Sequence, residues 1–298
     1  MIWKFKVILQ ALSSSYEEFH AKPKSKRFLK EIDSLLDPLD PESINYSVHV
    51  SLTDKYVFVE TPKVACSSIK LSLINMELRS GGHSIGNDEF NHDRSQFPLL
   101  QPSQVPGFDR VLASKEFFKF CFVRNPYTRI LAGYLDKILK NSIEKRGILI
   151  QLGYNRFKLD RHLSFEEFIE ALSKQPFVEQ DPHWREQFMH CYTDRIDYDF
   201  VGHLESMRDD LKTVFDRILP DGSRFLARHD VHKTSASSRL GEFFTPETLK
   251  KVNEKYHRDF ETFGYPILEE VPDDLAELKQ ALRPQRSSGP ISVRSQLQ

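Results

Sequence analysis

The chain has 298 residues, a length that suits one large α/β domain. Its 42 Lys and Arg are balanced by 43 Asp and Glu, so no global basic field exists to draw a nucleic acid or an anionic membrane. An apolar fraction of 39%, with 23 Phe and 10 Tyr, supplies a sizeable core and excludes wholesale disorder.

The N-terminal MIWKFKVILQAL is interrupted by Lys4 and Lys6 and reads as an amphipathic start, not a signal peptide. RFLKEIDSLL (27–36) has helical spacing, and residues 1–47 are expected to form an N-terminal helical extension. Tyr56-Val57-Phe58-Val59-Glu60 reads as a buried strand. The loop TPKVAC follows, then a helix carrying Ile69, Leu73, Ile74 and Met76. Residues 80–107 are rich in Gly and Pro and read as loop. A second strand, Phe117 to Val123, is broken by Arg124-Asn125-Pro126, and a helix with Ile130, Tyr134 and Ile138 follows. SFEEFIEALS (164–173) starts a helix with a Ser cap and Glu167 at the capping-box position.

Tyr198 to Gly202 is the third strand, leading into a helix with Leu211, Val214, Phe215 and Ile218. Residues 229–241 read as a polar loop, and Thr245-Pro246-Glu247 as a helix start. The stretch from 283 has no periodicity and is expected to be disordered. Repeated strand–helix alternation predicts an α/β fold, a central parallel sheet flanked by helices. The main domain is expected over 48–270, with a charged segment and tail over 271–298. Such sheets bind ligands at the carboxyl ends of their strands, where two loops stand out.

The first, Thr61 to Lys70, runs into a helix N-terminus, whose free N–H groups and dipole suit phosphate or sulfate. Lys63 adds a mobile ammonium, and Ser67 and Ser68 add hydroxyls. The glycines and the G-K-[ST] order of the standard phosphate loop are missing, so an ordinary Ser cap with a surface Lys is the competing reading. The second loop, Arg124 to Arg129, offers a strand-end guanidinium for a phosphate. Its competing reading is a surface ion pair. The three Cys, at 66, 121 and 191, form no disulfide framework and no Cys-x-x-Cys pair, and suit a reducing compartment. His and Cys positions show no zinc spacing, and no clustered acids suggest a magnesium site, so no metal is expected. No stretch is long and apolar enough for a membrane span.

Together, PKVACSSIK at 62–70 and FCFVRNPYTRI at 120–130 resemble the motifs of sulfotransferases that use 3′-phosphoadenosine-5′-phosphosulfate (PAPS). The closer match is the carbohydrate sulfotransferase branch with the chondroitin 4-O and HNK-1 enzymes. HW-x-x-Q at 183–187, DYDFVGHLE at 197–205 and Y-x-x-D-F-x-x-F-G-Y at 256–265 resemble that branch too, so the resemblance covers residues 48–266.

It implies the P-loop-like sulfotransferase fold and sulfuryl transfer from PAPS to a hydroxyl of a carbohydrate or glycoconjugate. It places Lys63, Cys66, Ser67 and Ser68 around the 5′-phosphosulfate, with Lys63 meeting charge on the leaving oxygen. It places Arg124 at the 3′-phosphate. The Ser that usually assists this Arg is Ala132 here, with Thr128 as a substitute donor. Lys233, Ser235 and Arg239 lie where relatives close over the nucleotide. A base must take the acceptor proton, and His is the default. His92, between the two motifs, is the expected base, followed by His83 and then His183. His183 and Trp184 could instead shape a sugar pocket, with Trp184 in the core as the competing reading. Golgi members of the family carry an N-terminal anchor; none is read here, so a soluble, cytoplasmic enzyme is expected. A divergent nucleotide-dependent kinase and a non-catalytic nucleotide-binding relative remain alternatives.

Overall fold

The computed structural model describes residues 41–90, 93–227, 235–285 and 288–291. The expected helix at 27–36, His92 and Lys233 lie outside the described residues.

Five strands form one sheet in the order β1-β2-β3-β4-β5. They are β1 Val48–Ser51, β2 Tyr56–Val59, β3 Phe118–Val123, β4 Tyr198–His203 and β5 Gly289–Ile291. The three strands read from sequence are the central ones, and β2–β3 and β3–β4 pair in parallel. They alternate between two cores. Val57, Val59, Cys121, Val123 and Val201 face one cluster, and Tyr56, Phe58, Phe120, Phe122 and Phe200 face the other. Burial on both faces is the signature of a parallel sheet inside a three-layer α/β domain.

The expectation of a parallel sheet needs correction at its edges, where β1 and β5 pair antiparallel with their neighbours. β1 carries buried His49 and Ser51, which hide its apolar signal. β5 falls within the expected disordered tail. Three residues carry no readable period, and Pro290 is tolerated there because an edge strand has a side that needs no N–H donor.

The face lined by the first cluster is covered by α1 Pro41–Ser47, α3 Pro126–Gly133, α4 Phe165–Lys174, α6 Pro246–Lys255, α7 His257–Phe263 and α8 Leu275–Ala281. The other face takes α2 Cys66–Glu77 and α5 Met207–Ile218. α8 also lies in the segment expected to be a charged tail, and Leu278 and Leu282 pack into the core. Ser164 and Glu167 form the predicted capping box of α4. Gly202 sits opposite Phe122 in the ladder. A Cβ on Gly202 would lie 2.3 Å from the Phe122 ring, so this strand needs a residue without one.

Val59 pairs with Cys121 and Val123 with His203. That register brings the residues after β2, β3 and β4 to one edge of the sheet, so 60–65, 124–125 and 204–205 converge there.

Candidate functional site

Lys63 and Ala65 both adopt left-handed backbone, with φ of 69° and 51°. A non-glycine residue pays of order 1 kcal/mol or more for this conformation, so the loop between β2 and α2 is held in a strained turn. α2 begins at Cys66, with Ala65 as N-cap and no side chain capping it. The reading of Ser67 or Ser68 as an ordinary cap is thereby corrected. The first-turn N–H groups keep the anion-binding character of an uncapped helix start. Cys66 and Ser67 are half-buried, and Ser68 is buried. Burial raises the Cys66 thiol above its ordinary value.

The Lys63 ammonium is ion-paired with Asp136, in the π-helical turn Tyr134–Ile138 that continues α3. Lys140 holds the other oxygen of Asp136 at 2.8 Å. Burial pulls the Lys63 pKa down against the pull of Asp136. Burial would raise the Asp136 carboxyl, yet Lys140 and Lys63 hold it well below the usual range.

Arg124 is fixed from several sides. Its backbone N–H donates to Gln187 Oε1 at 2.9 Å, and its carbonyl accepts from Gln187 Nε2 at 2.8 Å. Its Nε donates to Thr128 Oγ1 at 2.9 Å, and Nη1 donates to the Lys63 carbonyl at 3.1 Å. The two loops are thus joined directly through the Arg124 guanidinium. Burial takes its pKa down to about 10, opposed by Glu205, so it stays cationic at neutral pH. Thr128 also donates to the Asn125 carbonyl. Its hydroxyl therefore positions Arg124. Ala132 is fully buried in the first core cluster.

The polar patch at 181–191 braces both loops. Arg129, 1% exposed, donates to the carbonyls of Pro62 at 3.2 Å, Pro182 at 2.8 Å and Arg185 at 2.6 Å. Asp259 accepts from the N–H groups of Gln187 at 2.9 Å and Phe188 at 2.7 Å. Tyr256 donates to the Trp184 carbonyl at 2.5 Å. Glu205 accepts from the Asn125 N–H and from Tyr265 Oη. Trp184 is 1% exposed and packs edge-on against Phe168. It is core, which corrects its reading as an open face for a sugar ring. His183 is partly exposed, and its Nδ1 lies 2.6 Å from Asp181 Oδ1.

A profile of the sulfotransferase family matches residues 47–266. The chain belongs to the sulfotransferase family. It is 28% identical over 244 residues to carbohydrate sulfotransferase 14 of Danio rerio, covering 78% of this chain and 65% of that protein. It is 28% identical over 274 residues to carbohydrate sulfotransferase 12 of Xenopus laevis, covering 76% and 61%. Against carbohydrate sulfotransferase 14 of Homo sapiens it is 26% identical over 240 residues, covering 74% and 60%. The chain thus spans less than two thirds of these curated relatives. No solved structure matches it.

The third expected loop is described from Ser235 onward. Ala236 is buried in the first core cluster, and the turn Ala236–Ser238 packs on α3. Ser235 is exposed and left-handed, with φ of 52°. Arg239 is paired with Glu242 at 2.8 Å and stacks over Phe243. His83 is exposed in the loop after α2. Among the described residues no cluster of His, Cys, Asp or Glu is placed to hold a metal ion. No helix among them is long and apolar enough to cross a membrane.

Asp136, Arg129, Gln187 and Asp259 are the residues the sequence reading missed. The signal for the last two was present: HW-x-x-Q and Y-x-x-D-F are the segments whose side chains meet, through Gln187 and Asp259, behind Arg124.

Proposed function

We propose that this sulfotransferase moves the sulfuryl group of PAPS to a hydroxyl of a carbohydrate or glycoconjugate. The observation that carries the reading is the junction of an uncapped helix N-terminus, a strained loop bearing Lys63, and Arg124 hydrogen-bonded to that loop. Lys63 and the first-turn N–H groups of α2 would hold the 5′-phosphosulfate, with Ser67 and Ser68 at the same turn. Arg124, aimed by Thr128 and Gln187, would hold the 3′-phosphate. The donor supplies an activated sulfuryl group. The chain supplies fixed positive charge where negative charge grows on the departing oxygen.

Calorimetric titration with 3′-phosphoadenosine-5′-phosphate (PAP), with ADP as control and no magnesium, tests the donor assignment. Micromolar binding of PAP and rejection of ADP are expected. Equal binding of both overturns it and favours a kinase-like nucleotide site. Arg124→Ala is expected to weaken PAP by about 10- to 100-fold, the worth of charge-assisted hydrogen bonds, with little change for adenosine 5′-phosphosulfate. An unchanged preference for the 3′-phosphorylated nucleotide would remove Arg124 from that role.

A further inference from the structure

We infer that His183, oriented by Asp181, is the general base that takes the proton from the attacking hydroxyl. The inference rests on the proposed sulfotransfer.

Two contacts place the backbone at His183 beside the Lys63 loop. The buried Arg129 guanidinium bonds the carbonyl of Pro62, the residue before Lys63, and the carbonyl of Pro182, the residue before His183. One planar group therefore fixes both backbones relative to each other. The second contact is at the end of α3. A Cβ on Gly133 would lie 3.4 Å from the His183 carbonyl, so the peptide after His183 rests on the last turn of that helix. The next turn carries Asp136, the partner of Lys63. Lys137, beside Asp136, contributes to the field at Asp181.

The dyad itself has the geometry of an oriented base. Asp181 Oδ1 accepts from the His183 N–H at 2.9 Å and contacts ring Nδ1 at 2.6 Å. Burial pushes the Asp181 carboxyl up, but its hydrogen bonds to His183 outweigh this and hold it below the usual range. An ionised carboxylate can only accept, so Nδ1 carries the proton, and in the neutral ring Nε2 is the nitrogen left with the lone pair. The two side chains are about a quarter exposed, at 25% and 26%, which leaves the imidazole accessible. His49 and His190, by contrast, are buried against Glu60.

The step then balances. The acceptor oxygen forms a bond to sulfur as its proton passes to His183 Nε2. The bond from sulfur to the bridging phosphate oxygen breaks, and that oxygen leaves with the electron pair towards the Lys63 ammonium. His183 returns the proton to solvent after product release.

The test compares PAP release from PAPS by the wild-type chain, His183→Gln and Asp181→Asn. Water is one acceptor, and desulfated chondroitin is a second. PAP affinity is measured calorimetrically for each variant. His183→Gln is expected to lower the release rate by about 100-fold or more with either acceptor that the wild type uses, with PAP affinity within threefold. Added imidazole is expected to restore part of the lost rate, which a structural role would not allow. Asp181→Asn is expected to lower kcat with little change in acceptor KM. A His183→Gln rate within threefold of wild type, with the loss appearing in His92→Gln instead, overturns the assignment. Absence of PAP binding by the wild type would mark failure of the donor reading itself, separately from the identity of the base.

Discussion

Lys63→Ala is expected to lower kcat by about 10²- to 10³-fold, the usual effect of removing one group that meets developing charge, while PAP affinity falls far less. The asymmetry follows from the partner Lys63 already has. Without donor, its ammonium is neutralised by Asp136, which Lys140 shares. Binding a phosphosulfate exchanges one anionic partner for another, so the net gain in the ground state is small. As the sulfur–oxygen bond breaks, charge accumulates on the bridging oxygen and only then does the exchange favour the donor. An interaction that strengthens on the way to the transition state appears in kcat, and one present throughout appears in KM. The backbone at 63 is left-handed at φ 69°, and Ala pays a cost there similar to that of Lys, so the variant removes the side chain without relaxing the turn. Steady-state rates and PAP titration check the split. A kcat equal to wild type, or a loss confined to binding, would mean that Lys63 serves only as an anchor.

Lys63 and Arg124 were legible because each follows a strand buried on both faces, and such strands announce themselves as short apolar runs. Strand order then dictates that loops after β2 and β3 share an edge. The sequence was silent where partners are distant. Asp136 lies 73 residues from Lys63, and Gln187 lies 63 from Arg124 and 72 from Asp259. No local period encodes such pairs. Trp184 stayed open between two readings for a related reason. An aromatic beside a polar run reads equally as a sugar platform or as core, and only its packing against Phe168 decides. The edge strands stayed hidden because β1 buries polar His49 and Ser51 and β5 is three residues long. Ser67 and Ser68 looked like caps because capping is their commonest use, but the left-handed Ala65 moved the helix start ahead of both.

Glu60→Gln is expected to destabilise the fold by about 3–5 kcal/mol, the cost of stripping one partner from a buried ion pair. Glu60 ends β2 immediately before the donor loop. Its carboxylate contacts Lys70 Nζ at 2.5 Å and His49 Nε2 at 3.0 Å. The Glu60 and Lys70 side chains are 3% and 6% exposed, so the pair is nearly dry and the lysine charge has no easy route to water. Burial alone would raise the Glu60 carboxyl, but the hydrogen bond with His49 and the charge of Lys70 bring it down to about 2. A cavity of about 20 Å³ lined by His49, Lys70 and Arg94 adjoins them, space for about one water and too little to hydrate an orphaned ammonium fully. The double variant Glu60→Gln with Lys70→Met is expected to recover more than half of the loss, because removing both charges removes the uncompensated one. Urea unfolding of the single and double variants checks this, and additive losses would show that the pair does not act as a unit. The pH dependence gives a further check. The stability Glu60 contributes is complete above its unfolded value near 4.5 and is lost as pH falls towards 2. His49 and His190, both lowered to about 3 chiefly by burial, act earlier. Below about 6.5 the unfolded chain binds protons that the buried rings refuse, so wild-type stability falls by up to roughly 1.4 kcal/mol per pH unit for each ring. A stability curve flat from pH 7 to pH 4.5 would mean that both rings charge in the folded protein, and the Glu60 carboxylate would then be paired to a cation on either side.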